Sequence, residues 1–167
     1  PCEKIYYLNW LHAIHDALTL SFAPIKREKM KMDTVSKEIR SRMMSQIGGK
    51  NTRPELKIRK LLHAQGFRFR LHVRALVGQP DIVLAKYKAC IFVHGCFWHR
   101  HEGCRYATMP ATRVEFWAEK FRGNVMRDAR NREHLIAAGW RVFEVWECDL
   151  KEANPNLEWL YQAIRQS

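Results

Sequence analysis

Hydrophobic positions recur every fourth residue between Ser36 and Ile47, where Ile39, Met43 and Ile47 punctuate the basic stretch SKEIRSRMMSQI. This spacing predicts an amphipathic helix closed by Gly48-Gly49, with a polar face that can meet phosphates. A second helix is predicted in TRPELKIRKLLHAQG. Thr52 is placed to cap it, Pro54 falls in the first turn, Glu55 sits three residues beyond the cap, and Leu61 and Leu62 face inward until Gly66. The period then drops to two. FRFRLHV alternates apolar and basic residues as a half-buried strand does, VGQP turns the chain into DIVLAK, and ACIFVHG supplies a third strand after Tyr87. A long helix fits TRVEFWAEKFRGNVMRDARNREHLIAAG, stopped by Gly139. Strand WRVFEVWE follows, then a last helix capped by Asn154 with Pro155 at its first position. After the first helix the order is αβββαβα, which predicts an α/β sandwich around a mixed sheet.

The first 30 residues read differently. YYLNWLHAIHDALTLSFA carries aromatics and few charges, and Asn9, His12, His15 and Asp16 interrupt any signal-peptide core. The domain is expected to begin near Met30 or Met32, which leaves 1-32 as an N-terminal extension and 33-167 as the folded domain. A chain of 167 residues with 47% apolar content has room for one real core, so a globular domain is expected in place of disorder. Charge narrows the picture further. The 29 Lys and Arg residues against 17 acids give a net charge of +12, which attracts polyanions such as nucleic acid and rules out a cationic partner. No apolar run reaches the roughly 18 residues needed to cross a bilayer. Five cysteines is an odd number, and Cys96, Cys104 and Cys148 sit near histidine or strand ends. That usage favours metal over a secreted disulfide framework and places the protein in the cytoplasm.

Cys96, His101 and Cys104 read C-x-x-x-x-H-x-x-C, and Cys148 lies just past the strand FEVWE. Thiolates and an imidazole at this spacing fit tetrahedral zinc in a closed, structural site; the alternative is a set of buried free cysteines beside a surface histidine. Cys2 and Cys90 are left over, and Cys90 reads as a small core residue. Asp81 opens an apolar strand beside strands that carry His94 and His99. A carboxylate there is a plausible Mg²⁺ ligand, although GQPD taken alone favours an ordinary turn aspartate. Trp117, Phe121, Asn124 and Asp128 share one stripe of the long helix, where Asp128 faces with the aromatics or pairs with Arg132 at i+4. The capping box already accounts for Glu55. Phe97 and Trp98, set between ligands on a basic protein, are placed to stack on or wedge between bases, or else to cover the zinc site.

Together GQPDIVLAKYKACIFVHGCFWHRHEGC, PATRVEFWAEKFRGNVMRD and GWRVFEVWEC resemble the very short patch repair endonucleases, the Vsr family of bacterial mismatch nucleases, over about residues 33 to 162. The resemblance implies a restriction-endonuclease-like α/β fold, with a mixed sheet flanked by helices and a structural zinc site. It implies a strand-specific endonuclease that nicks 5′ to the T of T:G mismatches left by deamination of 5-methylcytosine, with Mg²⁺ at the catalytic centre. By the same resemblance Asp81 and the Val93 main chain hold Mg²⁺, His99 is the general base, His94 is a second active-site histidine, and Glu55 and Asp128 are supporting acids. Cys96, His101, Cys104 and Cys148 match the zinc ligands. Phe97, Trp98 and Trp117 match aromatics that intercalate at the mismatch, and Lys120 and Asn124 match residues that read it. Val93 stands where some members have Thr, and Gly103 looks like an insertion before Cys104. The implied partner is double-stranded DNA bearing the mismatch, with mismatch-repair proteins as candidate further partners. Two other readings compete: a zinc-stabilised module that binds damaged DNA without cutting it, and a restriction-type enzyme on the same fold.

Overall fold

The computed structural model describes Ser36, Ile39, Arg42 and residues 50-166, all within the compact unit Asp33–Ser167. Ile39 and Arg42 are helical. The rest of the helix expected over 36-47, its Gly48-Gly49 stop, the extension 1-32 and Cys2 lie outside the described residues.

The first full helix, α1, spans Arg53–Ala64 and starts as its sequence dictates. The Glu55 carboxylate accepts the Thr52 backbone N–H at 3.3 Å and the Thr52 hydroxyl at 2.8 Å, satisfying a donor that a helix start would leave orphaned. Ile58 and Leu62 are fully buried, whereas Leu61 is only partly covered. At the other end Gly66, with φ of +83°, lets its own N–H reach His63 O and the Phe67 N–H reach Leu62 O. This double hydrogen bond reverses the chain and seats Phe67 in the core beside Leu62.

The strand expected over FRFRLHV is reduced to β1, Arg70–Leu71. Phe67 is already committed to the core, and His72 turns into the left-handed region at φ of +45°, so the extended run stops after two residues. β2 (Ile82–Leu84) pairs antiparallel with β1 and with β3 (Ala89–His94), to which a 3-10 turn at Ala85–Tyr87 joins it. α2 (Val114–Ala137) is the crossover that lets β4 (Arg141–Trp146) run parallel to β3. The sheet order is β1-β2-β3-β4, the mixed sheet the sequence predicts.

Strand alternation divides the core. Ile82, Leu84, Ala89 and Ile91 face α1 and α3 (Glu158–Arg165), joining Ile58, Leu62, Leu160 and Ile164. Val83 and Cys90 face the opposite way, toward Leu135 of α2. Cys90 is thus a core residue, and burial pushes its thiol up to about 12. The last helix does not begin at Asn154-Pro155. Leu157 is turned into the core at 1% exposure, and its carbonyl accepts the Leu160 and Tyr161 N–H groups, so the first turn forms three residues later than local capping signals suggest.

Arg141 ties the far end of α3 to the sheet. Its guanidinium donates to the carbonyls of Ala163, Ile164, Gln166 and Tyr87 at 2.7–2.9 Å, a cation at a helix C-terminus whose carbonyls lack intrahelical partners. Each hydrogen bond from a charged group contributes about 1.5–3 kcal/mol, and they are not additive. Arg141→Met is expected to lower the unfolding free energy by roughly 2–4 kcal/mol in urea titrations, since three partly buried carbonyls lose their donor together. A loss below about 0.5 kcal/mol would show that water replaces the guanidinium without penalty.

Candidate active site

The antiparallel pairing of β2 and β3 places Asp81, one residue ahead of β2, beside the C-terminal end of β3. There Val93 N–H donates to Asp81 Oδ2 at 2.8 Å, so the aspartate is engaged across the sheet and not in its own turn. Burial holds the Asp81 carboxyl above its ordinary range, partly offset by the Val93 N–H. Among the described residues this is its one hydrogen bond, which leaves Oδ1 for a hard cation. Asp81 lines an open cleft of about 1120 Å³ together with Glu55, His94, Trp98, His99 and Asp128, and Lys50, Arg74, Lys120 and Arg127 add positive charge around it.

His94 ends β3 and His99 lies in the turn that follows. Their rings stack at 4.0 Å with planes 3° apart. His99 Nδ1 lies 2.6 Å from Asp128 Oδ2, so α2 delivers its carboxylate to this imidazole, while Arg132 pairs with Glu144 instead at 3.2 Å. An ionised carboxylate only accepts, so Nδ1 carries the proton and neutral His99 keeps a lone pair on Nε2. Burial first, then the nearby His99, depress His94 to about 3, so His94 is neutral at physiological pH.

The folded state disfavours the imidazolium while the unfolded chain takes it up near the ordinary value of 6.5, so His94 costs no stability above that pH. Stability is then lost as pH falls toward 3, by up to about 1.4 kcal/mol per unit. His94→Asn lacks this dependence. The stability gap between wild type and variant, followed by urea unfolding from pH 7 to 4, should therefore shift against the wild type as pH drops; a constant gap would refute the buried neutral imidazole.

Phe97, Trp98, Trp117 and Phe121 pack as one aromatic cluster, with Phe97 edge-on to the other three at 5.0–5.6 Å. Trp98 also lines the cleft. Asn124, expected on the same stripe, donates from Nδ2 to the Trp98 carbonyl at 3.0 Å, so it braces the aromatic loop. Lys120 is exposed at the cleft.

Beyond the cleft, Cys96, His101, Cys104 and Cys148 bring four ligand atoms within 4.8 Å of one another. His101 Nδ1 lies 3.8 Å from Cys96 Sγ and 3.2 Å from Cys148 Sγ. Bond lengths of about 2.3 Å to sulfur and 2.0 Å to nitrogen give tetrahedral edges of roughly 3.5–3.8 Å, so the cluster fits a zinc-like ion with modest adjustment. Burial pushes Cys148 up to about 12, helped by the neighbouring sulfurs, and burial also raises Cys96. Backbone N–H groups, that of Tyr106 foremost, lower Cys104. Crowded thiols of this kind ionise together only around a cation. Gly103 takes φ of +66°, and Cys104 N–H bonds to His101 O, so the loop turns back and brings Cys104 to the cluster.

Residues 32-105 match the family DNA mismatch endonuclease Vsr. The type II nicking enzyme V.XorIIP of Xanthomonas oryzae pv. oryzae is 48% identical over 120 residues, covering 72% of this chain and 88% of the relative. The chain belongs to the Vsr family of DNA mismatch endonucleases. The DNA mismatch endonuclease Vsr of Escherichia coli is 45% identical over 119 residues, 71% of this chain and 76% of that protein. The nicking enzyme V.NmeAIP of Neisseria meningitidis serogroup A is 44% identical over 127 residues, 76% of this chain and 90% of the relative.

Within this Vsr-family domain the structure adds residues that sequence reasoning did not single out. Glu55 Oε2 accepts Arg59 Nη2 at 2.6 Å, and the buried Arg59 also reaches Asn51 Oδ1 at 2.7 Å and His72 Nε2 at 3.2 Å. His72, Glu55 and Asp81 each place a ligand atom within 4.8 Å of the others. A guanidinium already sits against Glu55 and His72 there, and its charge competes with a metal ion for both. The i,i+4 spacing of Glu55 and Arg59 was readable in the sequence; His72 was hidden inside an apparently regular strand. No described helix is long and apolar enough to cross a membrane.

Proposed function

We propose that this Vsr-family protein is a strand-specific DNA mismatch endonuclease, with a restriction-endonuclease-like fold, that nicks 5′ to the T of T:G mismatches and initiates very short patch repair. The observation that carries the reading is the meeting, in one basic cleft, of the Asp81 carboxylate with an imidazole whose tautomer Asp128 sets. Asp81 and the Val93 main chain would hold Mg²⁺, which supplies Lewis-acid stabilisation of charge on the phosphate oxygens when bound. His99 Nε2 takes a proton from the attacking water, and Asp128 stabilises the imidazolium that results. His94, kept neutral, donates or accepts one hydrogen bond near the scissile phosphate without adding charge. Glu55 balances Arg59 and fixes the start of α1 beside Asp81.

Phe97, Trp98 and Trp117 open the duplex where a mismatch has already weakened stacking, so the wedge contributes selectivity, and Lys120 and Asn124 lie where the mismatch would be read. Zn²⁺ at the four-ligand cluster would pin the loop that carries Phe97, Trp98 and His99. The expected setting is the bacterial cytoplasm, on double-stranded DNA, with mismatch-repair proteins as candidate further partners.

The purified protein with Mg²⁺ is to be incubated with matched and T:G duplexes labelled on either strand. A single nick 5′ to T in the mismatched duplex alone is the expected product. No product from any duplex would favour a binding module, and cleavage of both strands of matched DNA a restriction-type enzyme.

A further inference from the structure

We propose that Trp146 is a positioning residue, the ring that couples the orientation of the two cleft imidazoles to the cysteine-histidine cluster. The inference rests on the reading that His94 and His99 act at the scissile phosphate.

The geometry begins with strand register. β3 and β4 run parallel with His94 opposite Trp146, so the two side chains leave the sheet on the same side as a cross-strand pair. Their rings meet edge to face at 5.3 Å and 70°. Trp146 in turn lies flat on His101, at 4.2 Å with planes 4° apart. His101 is set by the sulfurs of Cys96 and Cys148. On the cleft side His94 stacks on His99, and His99 ends on Asp128. One unbroken run therefore links Asp128, His99, His94, Trp146 and His101.

Trp146 is not explained by core packing, since it is half-buried and belongs to neither apolar cluster of the described residues. An imidazole swings easily about its terminal torsion, so its plane is set by the surfaces on either side. For His94 those surfaces are His99 and Trp146, with Phe92 farther off at 5.9 Å. Among the described residues His94 has no side-chain hydrogen bond to hold it; the Asp128 carboxylate lies within 4.8 Å of its ring but is bonded to His99. The alignment of His94 thus depends on a ring that is itself anchored by the metal-type cluster, and this gives that cluster a second consequence, the alignment of the reacting groups.

The test compares Trp146→Phe and Trp146→Leu with wild type in single-turnover nicking of T:G duplex, duplex binding, bound zinc, and histidine ring signals by ¹⁵N NMR. Displacing a catalytic group by about 1 Å can cost a hundredfold in rate. Trp146→Leu is expected to keep one zinc and bind duplex within about twofold, yet to nick some ten- to hundredfold more slowly, with the His94 and His99 ring signals shifted. Trp146→Phe, which retains a ring, should recover most of the rate. Should the leucine variant fail to fold, Trp146→Met, which fills the site without a ring, takes its place: unshifted His94 signals with a wild-type rate in that variant overturn the inference. So does a Trp146→Leu protein that loses stability alone, with rate and ring signals intact, the outcome expected of a mere space-filler. If wild-type protein nicks no duplex, the proposed function fails, and the ring signals still decide whether Trp146 orients His94.

Discussion

Asp81→Asn is expected to abolish nicking while leaving mismatch binding at wild-type strength. The substitution isolates charge from architecture. An asparagine carbonyl can still accept the Val93 N–H that Asp81 Oδ2 now accepts at 2.8 Å, so the junction of β2 and β3 stays satisfied. Asp81→Ala would remove that acceptor as well and cost about 1–3 kcal/mol of stability for an unpaired buried donor. What both variants lose is the anionic oxygen that holds Mg²⁺. Metal stabilisation of a phosphoryl centre amounts to several kcal/mol, and each 1.4 kcal/mol is tenfold, so the single-turnover rate should fall by about 10³-fold or more. Binding to T:G duplex, measured without Mg²⁺ by fluorescence anisotropy, should be unchanged or slightly tighter, because one negative charge leaves a basic cleft. Wild-type nicking by either variant would remove Asp81 from the mechanism, since β3, the neighbouring strand ACIFVH, contains no acid and the Glu55 carboxylate within 4.8 Å is already held by Arg59.

His99→Ala should slow nicking by about 10²- to 10⁴-fold, the usual contribution of general-base catalysis. The 2.6 Å contact with Asp128 makes a sharper statement possible. Asp128→Asn can present its amide N–H₂ to Nδ1, which moves the imidazole proton to Nε2 and blocks the lone pair that takes the proton from water; loss of the analogous orienting charge in a serine protease triad costs about 10⁴-fold. Because Asp128 acts through His99, the two effects should not add. The double variant His99→Ala, Asp128→Ala is expected to be no slower than His99→Ala alone. A double variant slower by the product of the single losses would mean that Asp128 has an independent role, such as direct contact with metal.

Local chemistry was legible throughout the chain. The Thr52–Glu55 capping box starts α1 as expected, the glycine after α2 stops it, and period-two alternation separates Ile82 and Leu84 from Val83 toward two core faces. The spacing of Cys96, His101 and Cys104 likewise announced a ligand cluster before any fold was known. Such features depend on residues within a few positions of one another, where helix and strand geometry dictate who meets whom. The start of α3 escaped this reasoning because burial of Leu157 outweighs the capping signal at Asn154. Strand β1 escaped it too, cut short by the turn at His72.

Partner choice was the other matter that sequence left open. Asp128 had a ready local partner in Arg132, yet it meets His99, 29 residues earlier, and Arg132 goes to Glu144. Cys148 joins His101 from 47 residues away, and Trp146 meets both His94 and His101. These contacts follow from the parallel pairing of β3 with β4 and the crossover α2 that this pairing requires. Residue types, spacings and net charge determined which chemistry the chain could carry. Which carboxylate faces which imidazole was decided only when the crossover closed, because contacts between distant segments depend on how whole elements pack, which no local periodicity encodes.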